Sequence, residues 1–160
     1  MAMLAKDERT LFVGQAVKYP GQAAFETFKH VPMERRIEMP VCEDFQVGFC
    51  TGLALDGYVP VSFFPRWDFL IIAANQIVNH LDKMPAMGFR PKVIIRTAVG
   101  RTTPLNPGHQ HTQNHTFAMR QMLTTVNVHE IYSAKYVVDT YEMALCGDRS
   151  CIVVEHMEKY

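Results

Sequence analysis

Glu43 stands in Pro40-Val41-Cys42-Glu43, where a short extended segment gives way to a helical one. A carboxylate at that junction has two readings. Near a helix N-terminus, free amides and the dipole stabilise it as an ordinary acidic helix start. In a partly apolar surround, which Val41, Cys42 and Phe45 could supply, its pKa rises and it becomes a general acid or base. A second cluster is Gly108-His109-Gln110-His111-Thr112-Gln113-Asn114-His115, with three histidines in seven residues. Imidazole is a common metal ligand. No carboxylate lies nearby in sequence, however, and the interleaved Gln and Asn are poor ligands, so a polar catalytic loop outweighs a metal site. For His109 and His115 a plain surface loop stays open. The third cluster is Pro65-Arg66-Trp67-Asp68-Phe69, at the exit of a strand. Rings there either fill the core, the stronger reading for Trp67, or stack on a flat heterocycle.

These clusters need elements to hold them. Thr10 to Gly14, Arg35 to Met39, Tyr58 to Phe64, Lys92 to Arg96, Val126 to Ile131 and Cys151 to Glu155 read as strands, apolar runs closed by Gly, Pro or polar residues. Helices are expected over Ala23 to His30, Glu43 to Leu55, Phe69 to Leu81, Thr116 to Leu123 and Ala134 to Leu145. The clearest is Phe69 to Leu81, where Leu70, Ala73, Ala74, Ile77, Val78 and Leu81 form one stripe. Gly48 and Gly52, four apart, suggest close approach by another backbone. Residues 97–115 carry Gly, Pro, Asn and His and read as a long loop, where function concentrates. Strands alternating with helices imply an α/β fold, a three-layer αβα domain with a mainly parallel sheet. Sites in such sheets gather at the carboxyl ends of the strands, which both Glu43 and the 97–115 loop follow.

Bulk properties bound the function. A chain of 160 residues suits a single domain over 1–160, and 48% hydrophobic residues provide a core. Sixteen basic residues balance sixteen acidic ones without a basic face, which speaks against nucleic acid. The longest apolar run, Phe69 to Ala74, is too short for a membrane span, and MAMLAKDERT lacks a signal-peptide pattern. Cys42, Cys50, Cys146 and Cys151 form neither a CxxC pair nor a zinc pattern, so free thiols in a reducing cytoplasm are expected.

Taken in order, five segments carry a resemblance: FVGQAV (12–17), MPVCEDFQVGFCTGLALDGYVPV (39–61), the DF…A.NQIVN..DK pattern (68–83), GHQHTQ (108–113) and CIVVEH (151–156). The chain resembles the pyrimidine-binding domain of the β subunit of thiamine-diphosphate-dependent 2-oxo acid dehydrogenases, from about residue 8 onward. That resemblance implies that Glu43 hydrogen-bonds the aminopyrimidine ring of thiamine diphosphate and favours its imino tautomer. It places Phe69 against the same ring, puts Val41 and Pro65 in the lining of its pocket, and makes His111 the active-site histidine beside the substrate. Asp148 and Ser150 fall near a turn that in some members helps hold potassium.

The resemblance also implies what lies elsewhere. No Gly-Asp-Gly motif with a following Asn is present to hold Mg2+ and the diphosphate. The cofactor is therefore expected to be shared with a diphosphate-binding partner subunit, alongside self-association through the Phe69–Lys83 segment. The family's C-terminal domain is expected to be absent. Asp44 and Phe45 replace the glycine that usually follows the glutamate, and Asn75-Gln76 stands for the usual Asp-Gln. Two alternatives stand beside the split enzyme: an interaction protein that kept the fold without the chemistry, and a metal hydrolase built on the histidine loop.

Overall fold

Central strands of a parallel sheet are covered on both faces, so they read as unbroken apolar runs. The computed structural model, which describes residues 1–21, 23–103 and 106–159, shows this in β3 (Val59–Phe63), buried at every residue. The others are β1 (Thr10–Gly14), β2 (Arg36–Glu38), β4 (Ile94–Val99), β5 (Asn127–Ile131) and β6 (Cys151–His156). All pairings are parallel, in the order β2-β1-β3-β4-β6-β5. Pro60 is tolerated in β3 because its missing N–H faces the β4 side one residue before that pairing begins at Val61.

Helices cover both faces. On one lie α1 (Glu43–Leu55), the helical segment opened by α2 (Trp67–Leu70), and α3 (Thr116–Met122). Val47, Cys50, Trp67, Leu70, Ile77, Leu81 and Met119 pack there against Val13, Ile95, Ile152 and Val154. On the other face Leu4, Phe28 and α4 (Val137–Cys146), through Tyr141 and Ala144, cover Phe12, Val61, Phe63, Ile94 and Val153. This is the expected three-layer αβα arrangement.

Several elements differ from expectation in detail. The helix expected over Ala23 to His30 is a 3-10 helix, Ala23–Phe28, that stops two residues earlier. The fourth strand begins two residues later and continues to Val99, because Thr97, Ala98 and Val99 pair with Val154, Glu155 and His156. The Phe69–Leu81 stripe is helical but changes character: α2 leads into a 3-10 turn at Ile71–Ala73 and a π-helical turn at Gln76–Leu81. The wider π turn brings Asp82, whose N–H donates to the Ile77 carbonyl at 2.9 Å, inward beside Ile77 and Leu81. Gly48 makes room for the Gln76 side chain, not for a backbone, and Gly52 faces open space. All four cysteines are free; burial pushes Cys50 and Cys151 each up to about 12, leaving those two thiols inert near neutrality.

Candidate active site

Parallel pairing places every strand's carboxyl end on one rim. Glu43 follows β2, Pro65 and Phe69 follow β3, and the histidine loop follows β4, so all reach that rim. Glu43 opens α1 and is 5% exposed. One turn on, the Gln46 amide donates to Ser62 Oγ and to the Phe63 carbonyl, both at 3.0 Å, which fastens the start of α1 to the end of β3. Among the described residues no hydrogen bond or ion pair engages the Glu43 carboxylate. Its burial does not come from the neighbours expected to supply it: Val41 is 77% exposed, and Cys42 and Phe45 are also open to solvent. Phe45 stacks on Phe49 instead, with centroids 6.1 Å apart.

The histidine loop is clamped onto the first turn of α2. His111 sets its ring edge-on to Phe69, with centroids 5.4 Å apart and planes at 86°. Its carbonyl accepts a hydrogen bond from Arg66 Nη1 at 3.1 Å. Gln113 donates to Asp68 Oδ1 through its backbone N–H at 3.3 Å and through Nε2 at 3.1 Å. Two buried atoms here have no partner among the described residues, His111 Nδ1 and Asp68 Oδ2. Such orphaned groups are uncommon and mark places where a ligand or water completes the set. Trp67, by contrast, is core: fully buried, with Nε1 donating to Thr116 Oγ1 at 2.7 Å and His115 edge-on at 6.3 Å. His109 is exposed, so the three histidines face three environments. Among the described residues no group of three or more His, Cys, Asp or Glu is arranged to hold a metal.

Gly100 is the tightest point of the clamp. A Cβ there would run into the His111 carbonyl and the Arg66 guanidinium. Gly100→Ala is therefore expected to lower stability by about 1–3 kcal/mol, since overpacking a closed contact displaces both partners. Urea denaturation measures this, and an unchanged midpoint would show that the loop yields freely.

A cavity of about 580 Å³ opens on the same rim, with Pro65 and Phe69 in its wall together with Arg66, Arg96, Arg101 and Glu155. Val41, Glu43 and His111 do not line it; His111 meets it only through its edge contact with Phe69, and Glu43 stands at the first position of α1. The arginines and Glu155 are candidate site residues that the sequence did not single out. Arg96 donates to both Glu155 oxygens, at 2.9 and 3.0 Å, and to Thr27 Oγ1 at 2.7 Å. The only local sign was a charge closing an apolar strand in Val93-Ile94-Ile95-Arg96 and again in Val153-Val154-Glu155. Asp148 and Ser150 lie at the opposite rim, beside a second cavity of about 210 Å³ that Arg90 and Arg149 also line. There Ser150 Oγ donates to the Pro91 carbonyl and accepts from Val93 N–H.

No family profile matches the chain. A stretch of 86 residues, 50% of this chain, is 34% identical to the 3-methyl-2-oxobutanoate dehydrogenase subunit beta of Mycobacterium tuberculosis, in two strains. That stretch is 24% of the mycobacterial protein, so this chain corresponds to only part of it. Among solved structures, a split-gene transketolase described as an inactive beta4 tetramer matches 97% of this chain and 49% of its own, with a TM-score of 0.73 at 15% identity. The chain thus has the α/β fold of the transketolase-like pyrimidine domain, and over half its length it is similar to a 2-oxo acid dehydrogenase β subunit.

Proposed function

We propose that this chain is the pyrimidine-binding part of a thiamine-diphosphate-dependent enzyme acting on a 2-oxo acid or a related keto compound. The observation that carries the reading is Glu43: a buried carboxylate with no partner among the described residues, on the same strand-end rim as Phe69 and His111. The residues present suit the cofactor's pyrimidine end. Phe69 and Pro65 offer an apolar wall to a flat ring, Glu43 an uncommitted acceptor, and His111 a buried ring nitrogen without a partner among the described residues. When bound, thiamine diphosphate supplies an electron sink for breaking a bond beside a carbonyl.

The chain's own side chains have separate tasks in this scheme. Glu43 accepts a hydrogen bond at its carboxylate and holds the proton that the ring must gain or lose. Phe69 and Pro65 orient the ring, and Val41 closes over it once a partner covers the exposed start of α1. His111 carries a proton to or from the substrate at an imidazole nitrogen, on a ring fixed by Phe69 and a backbone fixed by Arg66. The diphosphate and Mg2+ fall to a partner chain. The inactive beta4 assembly of the split-gene transketolase supports both self-association and dependence on such a partner.

Coexpression with a chain bearing the diphosphate motif tests the reading. The pair is expected to bind thiamine diphosphate at least 100-fold more tightly than this chain alone, because charge-assisted phosphate and Mg2+ contacts supply much of the affinity. It is also expected to decarboxylate 2-oxo acids. A stable pair that binds no cofactor would instead favour the non-catalytic interaction protein.

A further inference from the structure

We propose that the cavity beside Phe69 is an anion-accepting subsite in which Arg66 selects a substrate bearing a carboxylate or phosphate remote from its reacting carbonyl. This rests on the reading of the chain as part of a keto-substrate enzyme.

The charge inventory of the cavity is uneven. Among the described residues its lining holds three guanidinium groups and one carboxylate. That carboxylate, Glu155, is already taken by both of its bonds from Arg96 and by the Tyr141 hydroxyl at 2.7 Å. Arg96 is also held over the Phe28 and Phe63 rings, at 5.7 and 5.2 Å, so it is fixed as part of the wall. Arg101 reaches the cavity with its Nε donating to the Met157 carbonyl at 2.7 Å.

Arg66 is different. Among the described residues it makes one hydrogen bond, to the neutral His111 carbonyl, and no carboxylate pairs with it. It is only half-buried, and it is held in place, since the backbone at Gly100 leaves no room for even a methyl group beside Nη1. A guanidinium with most of its donors unspent, fixed against apolar walls, is a strong receiver for a planar or tetrahedral anion. Low local dielectric beside Phe69 and Pro65 strengthens the attraction. Thr97, also in the lining, has a fully buried hydroxyl with no partner among the described residues. The volume, about 580 Å³, fits a small organic acid.

The test uses the full chain and three probes: succinate, its neutral dimethyl ester, and inorganic phosphate. Amide shifts in 1H–15N spectra report binding. Succinate or phosphate is expected to move the signals of Thr97 and Gly100, and whichever does so names the anion. The diester is expected to leave them in place. Arg66→Met should weaken anion binding tenfold or more, and Arg66→Lys should restore part of it, because the charge remains while the fork is lost. Equal response to succinate and diester overturns the proposal, and this comparison needs no variant to fold. So does anion binding that Arg66→Met leaves unchanged. The two readings fail separately. Anion binding by a chain whose assembled pair never decarboxylates would remove the function and keep the subsite. An active pair whose chain ignores all three probes would do the reverse.

Discussion

Glu43→Gln is expected to lower turnover of the assembled pair by about 100-fold or more, the scale of losing a positioned acid–base group. It should do so without loosening the fold. Glu43 is buried and draws no hydrogen bond or ion pair from the described residues, so none of their bonds depends on its charge, and only the dipole of α1 favours it. Burying an unpaired carboxylate carries a desolvation penalty, which the neutral amide reduces. The melting temperature of the variant chain should therefore stay level or rise while activity collapses. A residue retained for stability gives the opposite pattern, with a lower melting temperature and intact turnover. Glu43→Asp sharpens the comparison: it keeps the charge but withdraws it by one methylene, and it should fall between the two. Full turnover in Glu43→Gln would remove the residue from the mechanism.

The sheet was legible because its information is local. In β3 and β6 each run of apolar residues is itself the buried strand, and the register follows from helices returning on both faces. The start of α1 at Glu43 and its end at Leu55 were readable for the same reason. The end of β4 was not: Thr97 looks like loop, and only pairing with Val154, 57 positions away, keeps it in the sheet. The π turn at Gln76–Leu81 was equally hidden, since it depends on what Asp82 meets across the domain. Within the candidate site, Glu43, Phe69 and His111 are proposed from their order along the chain, a pattern readable without knowledge of contacts. Arg66, Arg96, Arg101 and Glu155 lie on three separate segments and become one cavity only through the order β3-β4-β6. Nothing in their spacing announces that order.

Asp82→Ala is expected to destabilise the chain by about 3 kcal/mol or more, the scale of stripping partners from a buried charged hydrogen-bond network. Its carboxylate is almost fully buried and gathers the loop that leads into β5. Oδ1 accepts from the backbone N–H groups of Thr124, Thr125 and Val126, at 2.9, 2.7 and 3.0 Å. Oδ2 accepts from the Thr124 hydroxyl and from Lys83 Nζ, both at 2.8 Å. Asp82→Asn should cost less, because one oxygen can still serve the three amides while the new NH2 group faces Lys83. The pH dependence follows from the same contacts. Burial alone would raise the Asp82 pKa, but the bonds from Lys83, the Thr125 and Val126 amides and Thr124 together outweigh it and hold it well below the ordinary 3.8. The unfolded chain therefore binds this proton more readily than the folded one. The stabilisation is complete above the unfolded value and fades as pH falls below it toward the lower folded value. Denaturant titrations at pH 7 and near pH 3 should show wild type losing part of its lead over Asp82→Ala at the acidic end. Because Asp82 closes the helical segment that begins at Trp67, its loss should also loosen the far end of the element that carries Asp68 and Phe69. A lead over Asp82→Ala that does not shrink with acid would mean that the charge is not what holds this junction.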